Sequence, residues 1–392
     1  MGDRLDRLAA LVSQAGCDVA LIQGMVNTYY LTGTIQPGFL VVVPGERPRL
    51  CLRKGMARAE AETAGRAVDL ERLASPKDLP AVLASLGVTS PQRLGLELDR
   101  LPYLAVERLL RLFPTARPVD VGTVLRRLRM VKDATELASI RRAGEVWVKT
   151  MDAVSAHFET GIDEYELSLR VEAASRRAGH QGLVRTHALD FEIFIGHFLS
   201  GPHGAVPTRF DGPTGGPGVH PATAQGAGHR PIGRGDPILA DYAAATDGYI
   251  YDGTRTFVWG ALSPRLQEAY GLCQEVHQRL TQALRAGVTV GAVTEDAFQL
   301  AEEAGLSDFF MGYGPDRVRF LGHGVGLELD ELPVLVPGSA EPLASGMTVA
   351  VEPKFVFPGE GAVGLEVTYL VGQGAPVPLA DYSLDVIELA GR

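Results

Sequence analysis

The stretch PILADYAAATDGYIYDGTRTFVWG, residues 237–260, places an Asp-Gly pair between two apolar runs. Asp-Gly in this setting is a strong signal for a two-residue turn between antiparallel strands. With the pair at the turn, Asp241 and Asp252 point to one face of the hairpin as diagonal neighbours, with Cβ atoms about 7–8 Å apart or somewhat less. Two carboxylates so placed repel each other unless cations lie between them. The hairpin therefore predicts a metal site, and the alternative is that one of the two acids is simply exposed.

A second acidic pair occurs in TVAVEPKFVFPGEGAVGLEVTYLV, residues 348–371, where two strand-like runs flank a Pro-Gly-Glu-Gly turn. A loop of three or five residues centred on Gly359 would place Glu352 directly opposite Glu366, whereas an even loop would place them on opposite faces. Odd loops with glycine in the left-handed conformation are common. We therefore expect these two glutamates to face each other.

His323 lies in FLGHGVGLELDELP, residues 320–333, where the flanking glycines allow close approach of backbone and cofactor. A lone histidine is usually structural, and the glycine pattern lacks the Lys-Ser/Thr of a phosphate-binding loop. Together with the four carboxylates, however, an imidazole would complete an oxygen-rich, strongly negative site. Such a site suits two divalent metal ions of the Mn, Co or Zn kind.

The composition is that of a folded protein with two domains. The chain has 392 residues, 46% of them hydrophobic and 21% charged, and no run of apolar residues long enough for a membrane span. Its three cysteines are far apart, which predicts a cytoplasmic location and argues against a disulfide framework or a thiolate zinc site. The net charge of −10 argues against nucleic acid as a partner, and the lack of a long apolar run argues against a membrane.

The pattern of elements predicts a smaller domain over residues 1–128 and a larger one over 134–392, joined by a charged helical passage. The larger domain contains an internal repeat, in which a long helix, a Gly-Ile-Asp or Gly-Val-Thr turn and a second helix occur twice. We expect two related halves, with strands from 182–260 and 318–390 forming a sheet between them. The Gly/Pro-rich segment 201–231 is interpreted as a wall or lid over a site.

The ordered motifs resemble the pita-bread metallopeptidases, the family of methionine aminopeptidase, aminopeptidase P, prolidase and creatinase. In chain order they are Asp-x10-Asp, formed by Asp241 and Asp252 and accompanied by DGY and DGTRT, then GHGVGLE and ELP, then VEP, then a glutamate fourteen residues after that of VEP. The resemblance covers about 134–392, and NTYYLTG at 27–33 is similar to the N-terminal domain of the prolidase, aminopeptidase P and creatinase branch. It implies an α/β (α+β) architecture, in which a creatinase-like α/β domain precedes a pita-bread catalytic domain, and a homodimer.

The resemblance also implies roles for the five side chains. Asp241 would bind one metal ion, Asp252 and Glu366 would bridge two, and His323 would complete the ligand set. Glu352 would bind metal and also act as the catalytic proton shuttle. The residues expected to orient Asp252 through hydrogen bonds are Thr254 and Arg255.

The sequence departs from the family around these ligands. Asp330 and Thr208 occupy positions where the family usually has substrate-binding histidines, Lys354 replaces the glycine of EPG, and Gly364 replaces an arginine. Two histidines of the long insertion would be able to restore an imidazole. The tentative substrate contacts are therefore Asp330, Thr208, His220 and His229.

These observations favour a dinuclear metal-dependent hydrolase that cleaves the Xaa-Pro peptide bond, with a prolidase-like dipeptidase preferred. Aminopeptidase P activity on longer peptides is the alternative. A catalytically weak binding protein of the same fold, or a lyase acting on a small carboxylated metabolite, is also consistent with the departures. Creatinase-like chemistry is less attractive, because that branch works without metals and this chain has all five ligands.

Overall fold

The computed structural model describes residues 2–189, 191–207 and 209–391. The chain divides into two units, Met1–Arg129 and Met130–Arg392. Within the described residues, no helix is both long enough and apolar enough to span a bilayer.

The first unit is built around a mixed six-stranded sheet. Its strands are β1 Val19–Ile22, β2 Gly38–Val42, β3 Arg49–Leu52, β4 Asp69–Arg72, β5 Arg93–Leu96 and β6 Arg117–Asp120, in the spatial order β4-β3-β2-β1-β5-β6. Its helices are α1 Gly2–Gln14, α2 Met25–Thr32, α3 Met56–Glu62, α4 Leu79–Ser85, α5 Tyr103–Leu112 and α6 Gly122–Met130. Strands β2 and β3 pair antiparallel as a hairpin within FLVVVPGERPRLCLR, residues 39–53.

The second unit contains four long helices and a nine-stranded sheet. The helices are α7 Ala134–His157, α8 Glu164–Ala178, α9 Pro264–Ala283 and α10 Val290–Glu303. The strands are β7 Gly196–Ser200, β8 Pro237–Thr246, β9 Tyr249–Trp259, β10 Gly322–Gly324, β11 Glu331–Val334, β12 Thr348–Val351, β13 Lys354–Phe357, β14 Gly361–Gly364, β15 Glu366–Leu370, β16 Val377–Pro378 and β17 Ile387–Leu389. The spatial order of strands in the nine-stranded sheet is β11-β10-β12-β15-β9-β8-β7, and β16 pairs with β15 and β17 with β9. Strands β13 and β14 form a separate two-stranded sheet.

The predicted repeat of helix pairs is present. Asp163 caps α8 by accepting a hydrogen bond from the Glu166 N–H, and Thr289 caps α10 through the Ala292 N–H. Both caps lie in the predicted Gly-Ile-Asp and Gly-Val-Thr turns, where a short side-chain oxygen satisfies an otherwise free N–H of the first helical turn. Apart from β13 and β14, the strands between and after these helix pairs share one sheet, as expected.

Both predicted hairpins have the predicted register. Asp247 and Gly248 connect β8 to β9, and Ala243 lies opposite Asp252. In the second hairpin, Phe357 pairs with Gly361, which leaves a three-residue loop centred on Gly359. The pairing of β12 with β15 continues the same register on the other side of the two glutamates.

The two faces of the sheet differ in their neighbours. The Trp147 ring of α7 donates a hydrogen bond from Nε1 to the Gly253 carbonyl, 3.0 Å away. A Cβ at position 253 would lie 2.8 Å from that ring, so glycine is required for α7 to pack here. Because side chains alternate along a strand, Asp252 and Thr254 point to the opposite face. That face carries small apolar residues, including Ala243 and Ala350, which leave room for a site.

Candidate metal centre

Thr254 lies at the centre of the predicted site. It is paired with Asp241 on β8 and with Glu366 on β15, so three strands bring these side chains together. The Thr254 hydroxyl is 2.8 Å from Asp241 Oδ1 and 2.7 Å from Glu366 Oε2. One hydroxyl has a single hydrogen and can donate to only one of the two carboxylates at a time.

His323, on β10 near one edge of the sheet, reaches the same place on the same face. Its Nε2 is 3.8 Å from Asp252 Oδ2 and 3.6 Å from Glu352 Oε1. The structure therefore brings together all five side chains predicted as metal ligands. Three of them, Asp252, Glu352 and Glu366, are almost completely buried.

A cationic side chain also lies within this cluster. The ammonium Nζ of Lys354 is 2.7 Å from Glu352 Oε2, 3.2 Å from Asp241 Oδ2 and 3.4 Å from Glu366 Oε2. The side chain of Lys354 is 1% exposed. Sequence reasoning identified Lys354 as a departure from the family pattern but did not place its charge among the acids.

Burial and mutual repulsion raise the pKa of two of the acids. Burial, followed by the negative charges of Glu366 and Asp241, raises the pKa of Asp252 well above its ordinary value. Burial also raises the pKa of Glu366 to about 7, although the Lys354 ammonium opposes this shift. A carboxylate in a low-dielectric site needs a nearby cation to stay charged. The Lys354 ammonium alone therefore does not balance the charges of Asp252 and Glu366.

The Asp241 side is different. Burial raises the pKa of Asp241, but the Lys354 ammonium, with smaller effects from His197 and Thr254, overrides burial and lowers it. Burial acts to lower the pKa of Lys354, yet Asp241, Glu352 and Glu366 raise it well above its ordinary value. Lys354 and Asp241 are thus held as an ion pair.

The donor set around Asp252 fits a divalent cation. One ligand atom each from Asp252, His323 and Glu366 lies within 4.8 Å of the others. Among the described residues, Glu366 Oε1 is a buried atom without a hydrogen-bond partner. Buried polar atoms are nearly always satisfied, so an unpartnered carboxylate oxygen facing other acids indicates a place for a cation. Carboxylate and imidazole ligands suit Mn, Co or Zn.

Comparison with known proteins identifies the family. The sequence profile of metallopeptidase family M24 matches residues 138–373, and that of the creatinase/prolidase N-terminal domain matches residues 4–131. The chain belongs to metallopeptidase family M24. This result confirms the resemblance and the predicted fold, a creatinase-like α/β domain followed by a pita-bread domain.

Individual relatives match this metallopeptidase over most of its length. An Xaa-Pro dipeptidase of Pyrococcus furiosus is 26% identical over 375 residues, covering 95% of each chain. The crystal structure of dipeptidase PepE from Mycobacterium ulcerans is 26% identical, with a TM-score of 0.80, and covers 99% of this chain and 97% of that one. An X-Pro aminopeptidase from Thermotoga maritima has the same fold, with a TM-score of 0.79 at 21% identity over 95% of this chain and 98% of that one.

The residues expected to orient Asp252 have other partners in this metallopeptidase. Thr254 contacts Asp241 and Glu366, as described above. Arg255 donates from Nη1 to the carbonyl oxygens of Thr254 and Glu366, each 2.8 Å away, and its guanidinium stacks over Trp147. The expectation was wrong because Thr254 is directly opposite the other two acids, and alternation points Arg255 to the α7 face. Thr254 still holds the side chains of Asp241 and Glu366, and Arg255 holds the backbone at Thr254 and Glu366.

Three of the four tentative substrate residues have partners of their own in the structure. Asp330 accepts hydrogen bonds from the backbone N–H groups of His187 and Ala188, at 2.5 and 2.9 Å, so both its oxygens hold a loop. His220 is exposed and accepts from the Ala222 N–H within its own turn. His229 is exposed and lies 3.7 Å from Asp163 Oδ2. Thr208 lies outside the described residues. Contact of these four with a substrate stays a prediction.

Two further residues were not found from the sequence, one directly opposite Asp241 and one that contacts both ends of segment 201–231. His197 on β7 is directly opposite Asp241, and its buried Nε2 has no hydrogen-bond partner among the described residues. Burial lowers the pKa of His197, although Asp241 opposes this. Glu164, completely buried, accepts from His203 Nδ1 and the Gly228 N–H, both at 2.7 Å. The only sequence signals were a histidine in an apolar strand and an acid next to a helix cap.

Proposed function

We propose that this metallopeptidase is a metal-dependent hydrolase of the Xaa-Pro peptide bond, with dipeptides as its substrates. The observation that carries the proposal is the convergence of Asp241, Asp252, Glu352, Glu366 and His323 on one face of the sheet, within the fold of a peptidase family. The named relatives support the substrate class, since the Pyrococcus furiosus protein is an Xaa-Pro dipeptidase.

We propose that Asp252, His323, Glu352 and Glu366 hold divalent metal of the Mn, Co or Zn kind. Bound there, the metal supplies Lewis acidity and makes water a nucleophile near neutral pH. The unpartnered Glu366 Oε1 supports metal binding by this group of residues.

Glu352 is proposed to move the proton. One of its oxygens, Oε1, is 3.6 Å from His323 Nε2, while the other accepts a hydrogen bond from Lys354 Nζ at 2.7 Å. The lysine therefore fixes the rotation of the carboxylate and leaves Oε1 directed at the His323 side. A positioned carboxylate of this kind serves as general base and later as general acid, and contributes about 10²–10⁴-fold to the rate.

The segment 201–231 supports a preference for short substrates. The buried Glu164 carboxylate accepts hydrogen bonds from Ser200, His203 and Gly228, which lie at or near the two ends of this segment. We infer that the anchored ends make this segment a wall rather than a flexible linker. A fixed wall beside the site would exclude longer peptides, and this is the reason to prefer dipeptidase over aminopeptidase P activity.

The test is the release of free proline. The protein is stripped with a chelator, reconstituted with Mn²⁺, Co²⁺ or Zn²⁺, and assayed with a panel of Xaa-Pro dipeptides and matched Xaa-Pro-Ala tripeptides. We expect proline release from dipeptides only after reconstitution, and a loss of about 10²–10⁴-fold in kcat for Glu352→Gln. Faster cleavage of the tripeptides would favour aminopeptidase P, and no release from any dipeptide would contradict the proposal.

A binding protein of the same fold is the second candidate, and one observation favours it. The Lys354 ammonium lies among the acids that would otherwise all face metal. Tight binding of an Xaa-Pro peptide without hydrolysis by the reconstituted protein would support this candidate.

We further propose a homodimer and a cytoplasmic location. The homodimer is supported by the family to which the chain belongs, and light scattering of the purified protein would test it. The location is supported by Cys17, Cys51 and Cys273, which are buried and free. Reducing compartments are where unpaired cysteines persist.

A further inference from the structure

Lys354 is placed to act as a built-in cation. An ammonium group has three N–H donors, and the Lys354 Nζ lies within 3.4 Å of three carboxylates, those of Asp241, Glu352 and Glu366. A divalent ion bound by the same oxygen atoms would have to lie about 2.0–2.2 Å from each. The ammonium occupies the space that such an ion would need and repels any second cation brought next to it.

Gly364 makes this position of the lysine possible. Lys354 and Gly364 are direct partners across the β13–β14 pair. A Cβ at position 364 would lie 2.5 Å from Lys354 Cγ and 2.8 Å from the Pro353 carbonyl oxygen. Any larger residue there would displace the lysine stem. The two departures from the family pattern, at 354 and 364, are therefore one structural unit.

The remaining ligand atoms offer a site for one ion. Asp252, His323 and Glu366 each offer an atom within 4.8 Å of the others. Glu352 directs Oε1 toward His323, and Glu366 Oε1 has no partner among the residues that the structure describes. In contrast, Asp241 already has the ammonium at 3.2 Å and the Thr254 hydroxyl at 2.8 Å.

We propose that Lys354 takes the place of one of the two predicted cations, so that each chain binds a single divalent metal ion through Asp252, His323, Glu352 and Glu366. The proposal rests on the proposed function only for the location of the metal site. It is tested by metal binding and not by turnover, so the two proposals fail separately.

The experiment compares wild type with Lys354→Gly, which removes the ammonium and its stem, and Lys354→Met, which keeps most of the volume without the charge. The exposed Lys149 provides a matched control, Lys149→Met. Metal-free protein is titrated with Mn²⁺ by calorimetry, and the bound ions are counted by elemental analysis. Electron paramagnetic resonance distinguishes an isolated Mn²⁺ from a spin-coupled pair.

We expect one ion per chain and the spectrum of isolated Mn²⁺ for wild type and Lys149→Met. Lys354→Gly should bind two ions and show the coupled pair, while Lys354→Met should not gain a second ion because its side chain still fills the space. Two ions or none in wild type would overturn the proposal, as would one ion in a folded Lys354→Gly protein. One ion in wild type without proline release would leave this proposal standing and remove the proposed activity.

Discussion

Asp252 and Glu366 are the residues in which the need for metal is most apparent. Both are buried, and the Lys354 ammonium is hydrogen-bonded to Glu366 and Glu352 rather than to Asp252. Thr254 can satisfy only one of its two acidic neighbours at a time. The Lys354 ammonium therefore leaves the negative charge on the His323 side of the cluster only partly balanced, and burial raises the pKa of both acids.

The stability of the metal-free protein should consequently fall as pH rises. Burial raises the pKa of Glu366 from 4.5 to about 7, and that of Asp252 shifts in the same direction. The folded state then binds these protons more tightly than the unfolded state, so their stabilising contribution is complete below pH 4.5 and is lost as pH rises through about 7. Added Mn²⁺ binds the ionised forms, so the increase in Tm that it causes should grow across this range.

Thermal unfolding between about pH 5 and pH 8, with and without Mn²⁺, measures this effect. Glu366→Gln serves as the control, because it cannot ionise and should weaken the pH dependence. An increase in Tm on Mn²⁺ addition that is the same at both ends of the range would contradict the assignment.

Single residues show where sequence reasoning succeeds and where it stops. The alternation of a strand is sufficient to place Asp241 and Asp252 on one face, because the Asp-Gly turn fixes the register locally. The path of the Lys354 side chain depends on the absence of a side chain at Gly364, ten positions further along the sequence. The position of His197 depends on the pairing of β7 with β8 across a long loop. Neither fact has a local signal.

At the scale of elements, the β13–β14 hairpin sets the distance between Glu352 and Glu366. Its loop turns at Gly359, where φ is +83°, and a Cβ there would have nothing within 4 Å. The cost of Gly359→Ala is therefore purely conformational, about 1–2 kcal/mol of unfolding free energy. Gly374→Ala is the matched control, since its Cβ would also meet nothing and its φ is not in the left-handed region.

Urea unfolding followed by tryptophan fluorescence is suited to this comparison, because both tryptophans, Trp147 and Trp259, belong to the second unit. We expect a lower midpoint for Gly359→Ala and little change for Gly374→Ala. Equal midpoints for the two variants would show that the left-handed turn does not limit the stability of the hairpin.

The short strand β10 shows why elements are harder to predict than turns. Its three residues, Gly322–Gly324, carry no strand signal in the sequence. A Cβ at Gly322 would lie 2.0 Å from the Ala350 carbonyl oxygen, and one at Gly324 would lie 2.1 Å from that of Leu332. These glycines were expected to allow close approach of backbone and cofactor. In the structure, the atoms that come this close are backbone carbonyl oxygens of neighbouring strands. Those strands are distant in sequence, so no local pattern identifies them.

At the scale of the whole molecule, the segment that begins the second unit is tied to the strand beside His323. Lys132 Nζ is 3.1 Å from Glu331 Oε2, and both side chains are almost fully buried. Glu331 Oε1 accepts from the Leu327 and Glu328 N–H groups, which fixes the turn after His323. Removing one member of a buried ion pair typically costs about 3–5 kcal/mol.

We therefore expect Lys132→Met to lower the unfolding free energy of the second unit by about 3–5 kcal/mol. The double variant Lys132→Met/Glu331→Gln should recover part of this loss, because glutamine still accepts the backbone hydrogen bonds without leaving a buried charge. The same fluorescence measurement applies. A double variant no more stable than Lys132→Met alone would show that the uncompensated charge is not the cause.

The second unit should fold and bind metal without the first. All candidate ligands lie between Asp241 and Glu366, and Met130 already belongs to the core that α9 and α10 form with β12 and β15. A fragment of residues 130–392 therefore keeps its core and its acidic cluster, as expected of an independent domain. We expect it to bind Mn²⁺ with the stoichiometry of the full chain and to gain Tm on binding. If the fragment is folded by circular dichroism yet binds no Mn²⁺, the metal site requires the first unit, and the assignment of the site to the second unit alone is wrong.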